Sequence, residues 1–276
     1  MFSGGGNMYY VSVERGVKLA VYDLNPLGRK AVFLVHGWPL NHSMFEYQLD
    51  LLPKLGFRCI AVDLRGFGNS DAPWSGYGYD RLADDLYTII RMINVPRMSL
   101  VGFSMGGAVA IHYMARYREY KISKLALLSA AAPCFVSRKG CPGGLPLEQV
   151  NALIAQIGRD RPQAIYDFEK SFFGQPITPA FGEWFRSVTL SGPGYSTLET
   201  AETLRDADLR ADLEQISVPT GIFYGVLDKI CPKELALTLN RNIRNSKLYR
   251  FEQSGHAIFY DELEKFNQEL SSFLTG

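Results

Sequence analysis

Apolar and polar positions alternate along the chain in two different rhythms, and the change of rhythm outlines the architecture. Tyr9 to Val13 and Val17 to Tyr22 alternate apolar with polar residues around Glu14-Arg15-Gly16, which predicts an antiparallel hairpin at one edge of a sheet. Ala31 to Val35 is continuously apolar, the pattern of a strand covered on both faces, and shorter runs at Cys59 to Val62, Met98 to Val101, Lys124 to Leu128, Pro219 to Tyr224 and Lys247 to Phe251 predict further strands. Between them lie segments of helical period. Met44 to Leu55 directs Met44, Tyr47, Leu51 and Leu55 inward and stops at Gly56; Tyr79 to Ile93 directs Leu82, Leu86, Ile89, Ile90 and Ile93 inward and stops before Pro96. Gly106 to Arg116 and Asp261 to Leu274 complete the set. Strand, helix and strand joined by short loops predict an α/β fold with a mainly parallel, doubly wound sheet, because parallel neighbours need right-handed crossovers.

The alternation fails after Pro133. Pro133 to Pro146 is rich in proline and glycine, as a hinge would be, and Leu147 to about Arg205 carries helical periodicity interrupted by Pro162, Gly174, Pro176, Pro179, Gly182 and Ser191-Gly192-Pro193-Gly194. Helices without strands in this position read as a cap insertion. The expected division is therefore a core of residues 1–132 and 217–276 and a helical cap (lid) of residues 133–216.

Function in such sheets gathers at the carboxyl ends of strands, and the chemistry follows from which residues stand there. Leu100-Val101-Gly102-Phe103-Ser104-Met105-Gly106-Gly107 runs from strand to helix through a serine flanked by glycines, the G-x-S-x-G elbow that holds a serine hydroxyl outward on a sharp turn. A serine needs a base to attack at neutral pH, and the base needs a third group to orient it. The chain has four histidines. His112 points away along the elbow helix, His42 reads as a capping or exposed residue, and His36 reads as a pin for loop backbone. His256, in Ser254-Gly255-His256-Ala257 after the last strand, is the expected base. Of the two strand ends that could supply the acid, Ser129-Ala130-Ala131 has no carboxylate and Gly225-Val226-Leu227-Asp228 has one, so Asp228 is the expected orienting acid. Asp206, Asp208 and Asp212 read as solvated helix residues. The oxyanion donors expected are the backbone N–H groups of Met105, at a helix start, and Trp38, in the loop after the Ala31–Val35 strand.

Composition narrows the class without changing this picture. The 276 residues are 47% hydrophobic with a net charge of +1, which argues against nucleic acid or an anionic membrane as partner. Four cysteines without a C-x-x-C pair read as free thiols in a reducing, cytoplasmic compartment. Met1 to Asn7 lacks the makings of a secretory signal, with Gly4 to Gly6 read as a flexible tail or an expression scar, and no stretch is apolar enough to span a bilayer. No metal site is expected, since H-E-x-x-H and clustered His and Cys are missing.

The quoted stretches resemble the α/β-hydrolase superfamily, and within it the cofactor-free (non-haem) chloroperoxidase, perhydrolase and aryl esterase group. The matching residues are His36-Gly37-Trp38-Pro39-Leu40, Asp63-Leu64-Arg65-Gly66-Phe67-Gly68-Asn69-Ser70, Gly102 to Gly107, Asp208 to Leu213 leading to Val218-Pro219-Thr220, and Gly255-His256. The order Ser104, Asp228, His256 is that superfamily's order. The resemblance implies carboxylic ester hydrolysis without a cofactor, on a small-molecule ester, with perhydrolysis of short acids as a side reaction. Val226 stands where similar proteins carry an extra aspartate, and the stretch Cys134 to Trp184 matches no cap of the group. Aromatic residues of that stretch, Phe135, Phe172 and Trp184 among them, together with Trp38, are candidates to line an apolar ester pocket, against the reading that each simply packs the insertion onto the core. A hydrolase-fold ligand receptor, and a lyase or C–C hydrolase using the same triad, are the competing functions. Dehalogenase and epoxide hydrolase are disfavoured because they need a carboxylate where Ser104 stands. Oligomeric state is left open.

Overall fold

The computed structural model describes residues 7–276, so the tail expected at Gly4 to Gly6 lies outside it. Eight strands form one sheet: β1 (Asn7–Glu14), β2 (Val17–Leu24), β3 (Lys30–Val35), β4 (Phe57–Val62), β5 (Met98–Phe103), β6 (Ile122–Leu128), β7 (Thr220–Gly225) and β8 (Ser246–Phe251). Their order is β1-β2-β4-β3-β5-β6-β7-β8, with β1, β2 and β4 paired antiparallel and every other neighbouring pair parallel. The helices packed around it are α1 (Glu46–Lys54), α2 (Tyr79–Met92), α3 (Met105–Arg116), α4 (Leu147–Glu169), α5 (Pro179–Thr189), α6 (Gly194–Asp206), α7 (Arg210–Leu213), α8 (Lys233–Asn242), α9 (Ile258–Asp261) and α10 (Leu263–Thr275). No helix among the described residues is long and apolar enough to cross a membrane.

β3 and β5 are almost wholly buried, as their continuous apolar runs require of strands covered on both faces. After β3 the chain moves outward to β4 and then crosses back over β3 to β5. The connections that leave the carboxyl ends of β3 and β5 therefore run in opposite directions, which makes this the switch point of the sheet, where ligands of parallel sheets bind. Helices α4 to α7 lie in the interval between β6 and β7, after a loop of residues 129–146. Within α4 the chain leaves helical geometry at Asp160, two residues before Pro162, whose ring cannot follow a full helical turn.

The α1 region differs from its expected face. Met44 is buried, but Tyr47 and Leu51 are only half-buried and Leu55 is 53% exposed; Phe45, Gln48 and Leu52 point inward instead. The cause is a 3-10 turn at His42–Phe45, which rotates the chain faster per residue than an α-helix and shifts the inward stripe by one position. Gln48 tolerates burial because its amide donates to the Phe259 carbonyl at 3.2 Å and to Asn267 at 2.9 Å.

The loop after β4 is pinned by ions rather than by packing. Buried Arg65 donates to both Asp85 oxygens at 2.6 and 2.7 Å and to Glu14 at 2.9 Å, joining this loop to α2 and β1. His42 is neither a cap nor free in solvent: its Nδ1 lies 2.8 Å from buried Asp63 and its ring stacks on Tyr22 at 3.5 Å. Burial alone would raise the Asp63 carboxyl, but its bonds from His42 and Asn69 and the histidine charges outweigh that and hold it below the usual carboxylate range. Asp212 and Asp208 are also not simply solvated. Asp212 lies 2.8 Å from His112 Nδ1, and Asp208 accepts the Cys134 thiol at 3.5 Å.

Candidate active site

Ser104 is the single residue between β5 and α3, and it turns the chain at φ 52° and ψ −117°. That left-handed conformation costs a non-glycine residue about 1–3 kcal/mol and persists only where its surroundings impose it. Here the Ser104 N–H donates to the Leu128 carbonyl at 2.8 Å, and the Ser104 carbonyl accepts from Gly107 and Ala131 at 3.0 Å. A Cβ on Gly102 would overlap the Gly106 carbonyl, and one on Gly106 would overlap the carbonyls of Val35 and His36, so strand, helix and the β3 loop meet only because both flanking residues are glycine. Met105 opens α3, and the first N–H groups of a helix have no partner within it.

The loop after β3 lies directly against this turn. A Cβ on Gly37 would come within 2.8 Å of the Ser104 Cβ, which sets the backbone of Gly37 beside the serine. The Trp38 indole is buried, donates to the Thr197 carbonyl of α6 at 3.0 Å and packs edge-on against Phe168 of α4, tying the β3 loop to the inserted helices. His36 does pin loop backbone. Its Nε2 accepts from the Leu64 N–H at 2.9 Å and its Nδ1 donates to the Gly37 carbonyl at 2.8 Å, a pattern that assigns the neutral Nδ1–H tautomer. Complete burial lowers its pKa to about 4, against about 6.5 for an unfolded histidine. Between those values the unfolded chain binds a proton that the folded chain refuses, so stability falls as pH drops through this window. The loss expected from His36 is about 3 kcal/mol by pH 4, at about 1.4 kcal/mol per pH unit. Urea midpoints measured from pH 7 to 4 should show it, and His36→Gln should flatten the slope.

Asp228 and His256 meet across β7 and β8. His256 Nδ1 donates to Asp228 Oδ2 at 2.8 Å, and both side chains are buried. The other carboxylate oxygen, Asp228 Oδ1, accepts the N–H groups of Ile230 and Cys231, each at 2.8 Å. Leu227 N–H donates to the Ser254 carbonyl at 3.0 Å, and Ser129 Oγ donates to the His256 carbonyl at 3.1 Å, so the loops after β6, β7 and β8 are tied together. The His256 ring is held between Phe103 and Phe172, each with its centroid 4.8 Å away, and the Phe172 carbonyl accepts from the Ala257 N–H at 3.0 Å. Asp261 clamps the same region by accepting from Gly174 at 2.7 Å and Gly255 at 2.8 Å.

Of the candidates named from sequence, Ser104 and Met105 stand at the turn from β5 into α3, Trp38 belongs to the loop after β3 whose Gly37 packs on Ser104, and Phe172 lies on His256. Trp184 instead packs against Phe181 and Phe185 among the inserted helices, and Phe135 lies in the loop before α4, its carbonyl accepting from Leu145. Sequence reasoning missed Phe103, Ser129, Asp261 and Cys231. Only Cys231 carried a local signal, since an aspartate three residues before it, followed by a proline, marks a turn whose N–H groups the carboxylate binds. No group of three or more His, Cys, Asp or Glu among the described residues is arranged to hold a metal ion.

A buried imidazole polarised by a carboxylate, a serine on a strained turn and a helix N-terminus beside it are the parts needed for acyl transfer. The sequence profile of the alpha/beta hydrolase fold family matches residues 30–263. An AB hydrolase superfamily protein of Bacillus subtilis (strain 168) is 46% identical over 265 residues, 96% of this chain and 98% of that protein. A bifunctional esterase/perhydrolase of Acinetobacter calcoaceticus is 30% identical, covering 97% of this chain and 99% of its own length. The solved structure of an esterase from Exiguobacterium antarcticum superposes with a TM-score of 0.94 at 39% identity, over 97% of this chain and 99% of that one.

Proposed function

We propose, for a chain that belongs to the alpha/beta-hydrolase fold family, that it is a serine hydrolase of small to medium apolar carboxylic esters. The observation that carries this reading is the buried pair of His256 and Asp228, 2.8 Å apart, at the same sheet edge as a serine held at positive φ. Ser104 Oγ attacks the ester carbonyl and gives its proton to His256 Nε2, while Asp228, on Nδ1, keeps the ring in the right tautomer and stabilises the imidazolium. The N–H groups of Met105 and Trp38 hold the oxyanion. Collapse expels the alcohol with the proton from His256, and water, activated by the same imidazole, then hydrolyses the acyl-enzyme.

The aromatic surroundings support an apolar substrate. Phe103 and Phe172 both lie on the base, so an acyl or alcohol group entering there meets rings rather than charges. Phe135 and Trp184 belong to the same cap of residues 133–216 in this reading and contact the outer part of larger substrates. Hydrogen peroxide in place of water at the deacylation step would yield a peracid; the relative named as an esterase/perhydrolase supports that as a side reaction. Four free, buried thiols support a reducing, cytoplasmic setting.

A p-nitrophenyl ester panel from acetate to long acyl chains, run with and without peroxide, tests this reading. Fast multiple turnover that peaks at short to medium acyl length is the expected result. A single slow turnover with tight ligand retention would instead mark a receptor.

A further inference from the structure

The loop between α4 and α5 is fastened to the loop that carries the proposed base. Its Phe172 ring lies on His256, the Phe172 carbonyl accepts from the Ala257 N–H at 3.0 Å, and Gln175 Nε2 donates to the Gln253 carbonyl at 2.8 Å. Between these contacts two glycines meet backbone to backbone: a Cβ on Gly174 would overlap the Gly255 nitrogen, and one on Gly255 would come within 2.7 Å of the Gly174 nitrogen. Both N–H groups point at one atom. Asp261 Oδ2 accepts from Gly174 at 2.7 Å and from Gly255 at 2.8 Å, while Oδ1 takes the Gln175 N–H at 3.3 Å. A carboxylate suits the position, since a charged oxygen accepts two bonds at once and more strongly than a neutral one. Asp261 closes α9, the short helix after His256, so one side chain joins three stretches of chain around the base. His256 Nε2 has no hydrogen-bond partner among the described residues, so the ring is located by Asp228 on Nδ1, by Phe103 and Phe172 against it and by its own backbone. That backbone is tied at three consecutive residues: the Gly255 N–H to Asp261, the His256 carbonyl to Ser129 and the Ala257 N–H to Phe172.

We infer that Asp261 is a positioning residue for the reaction: its carboxylate locks the α4–α5 loop onto the His256 loop, and the base stands at its working place only while that loop is docked. The inference rests on the serine-hydrolase reading, and it assigns Asp261 no contact with the reacting atoms. A shift of the ring by about 1 Å is enough to cost on the order of 10²-fold in rate, because proton transfer needs hydrogen-bond reach.

Asp261→Ala is expected to lower kcat for a p-nitrophenyl ester about 10- to 100-fold with KM changed less than about twofold, since the pocket is kept and only the base moves. Asp261→Asn, whose amide oxygen accepts the same two N–H groups, should stay within about threefold of the native kcat. Gly174→Ala attacks the same junction from the other side, pushing its Cβ onto Gly255, and should lower kcat as Asp261→Ala does, with the double variant losing little more than either. With only four histidines in the chain, 15N-histidine labelling resolves the His256 Nδ1–H that bonds Asp228; its resonance should move in both alanine variants and stay in place in Asp261→Asn. Each variant is assayed below its own unfolding transition, and if Asp261→Ala does not fold, Gly174→Ala and Asp261→Asn carry the test. The inference is overturned if a folded alanine variant keeps the native kcat, if the loss falls on KM alone, if Asp261→Asn loses as much as alanine, or if kcat falls with the resonance unmoved. Failure of the underlying reading looks different: native protein turns over no ester, while the resonance still moves in the alanine variants.

Discussion

Ser104→Ala is expected to lower the turnover of p-nitrophenyl acetate or butyrate by about 10⁴- to 10⁶-fold, with little change in stability. The size of the effect follows from what the hydroxyl does. Without it no acyl-enzyme forms, and the oxyanion donors and the pocket alone leave only a small residual rate. His256→Ala should cost about as much, and the double variant little more than either single one, because groups acting as one relay lose their function together. Stability is spared because the turn is held by backbone hydrogen bonds of Ser104, not by its side chain, and alanine accepts the same bonds. Undiminished turnover in well-folded Ser104→Ala would remove the mechanism. A fluorophosphonate adduct, located by mass spectrometry on the peptide carrying residue 104, would give the positive counterpart.

Asp85→Ala is expected to destabilise the fold by about 3–5 kcal/mol, the largest stability loss anticipated from a single polar side chain here. Arg65 and Asp85 are both buried and joined by two hydrogen bonds of 2.6 and 2.7 Å, so truncation leaves a guanidinium in the interior with only half-buried Glu14 to answer it. Taking an ion pair out of water is costly to begin with; removing one partner keeps that cost and discards the attraction that offset it. The loss should appear as a lowered urea midpoint with little change in m-value. Replacing both partners by apolar side chains, Asp85→Leu with Arg65→Met, should recover much of it. If Asp85→Ala cost less than about 1 kcal/mol, the pair would be no better than a surface ion pair.

The turn that carries Ser104 was legible in its residues because elbow geometry is local. A serine between Gly102 and Gly106, with an apolar strand before it and a helix after it, announces a close crossing of backbones before any coordinates exist. His256 and Asp228 were legible for a different reason: strand alternation puts the residue after each strand at one known edge, so few side chains of the needed type remain. Helix faces were less so. The inward stripe of α1 shifted by one position because a 3-10 turn at its start changes the rotation per residue, and Gln48 broke the apolar pattern because its partners lie more than two hundred residues away.

By itself, then, the sequence determined the alternation of elements, the hairpin at the sheet edge, the strandless interval between β6 and β7, and the residue types that meet at the carboxyl edge. Tertiary structure alone decided which groups pair: His42 with Asp63, Arg65 with Asp85, and His256 with Asp228 between Phe103 and Phe172. Periodicity and glycine punctuation record forces that act within a few residues. Hydrogen bonds and ring contacts extend only a few ångströms but ignore chain distance, so their partners are fixed only when strand order and register bring remote loops together.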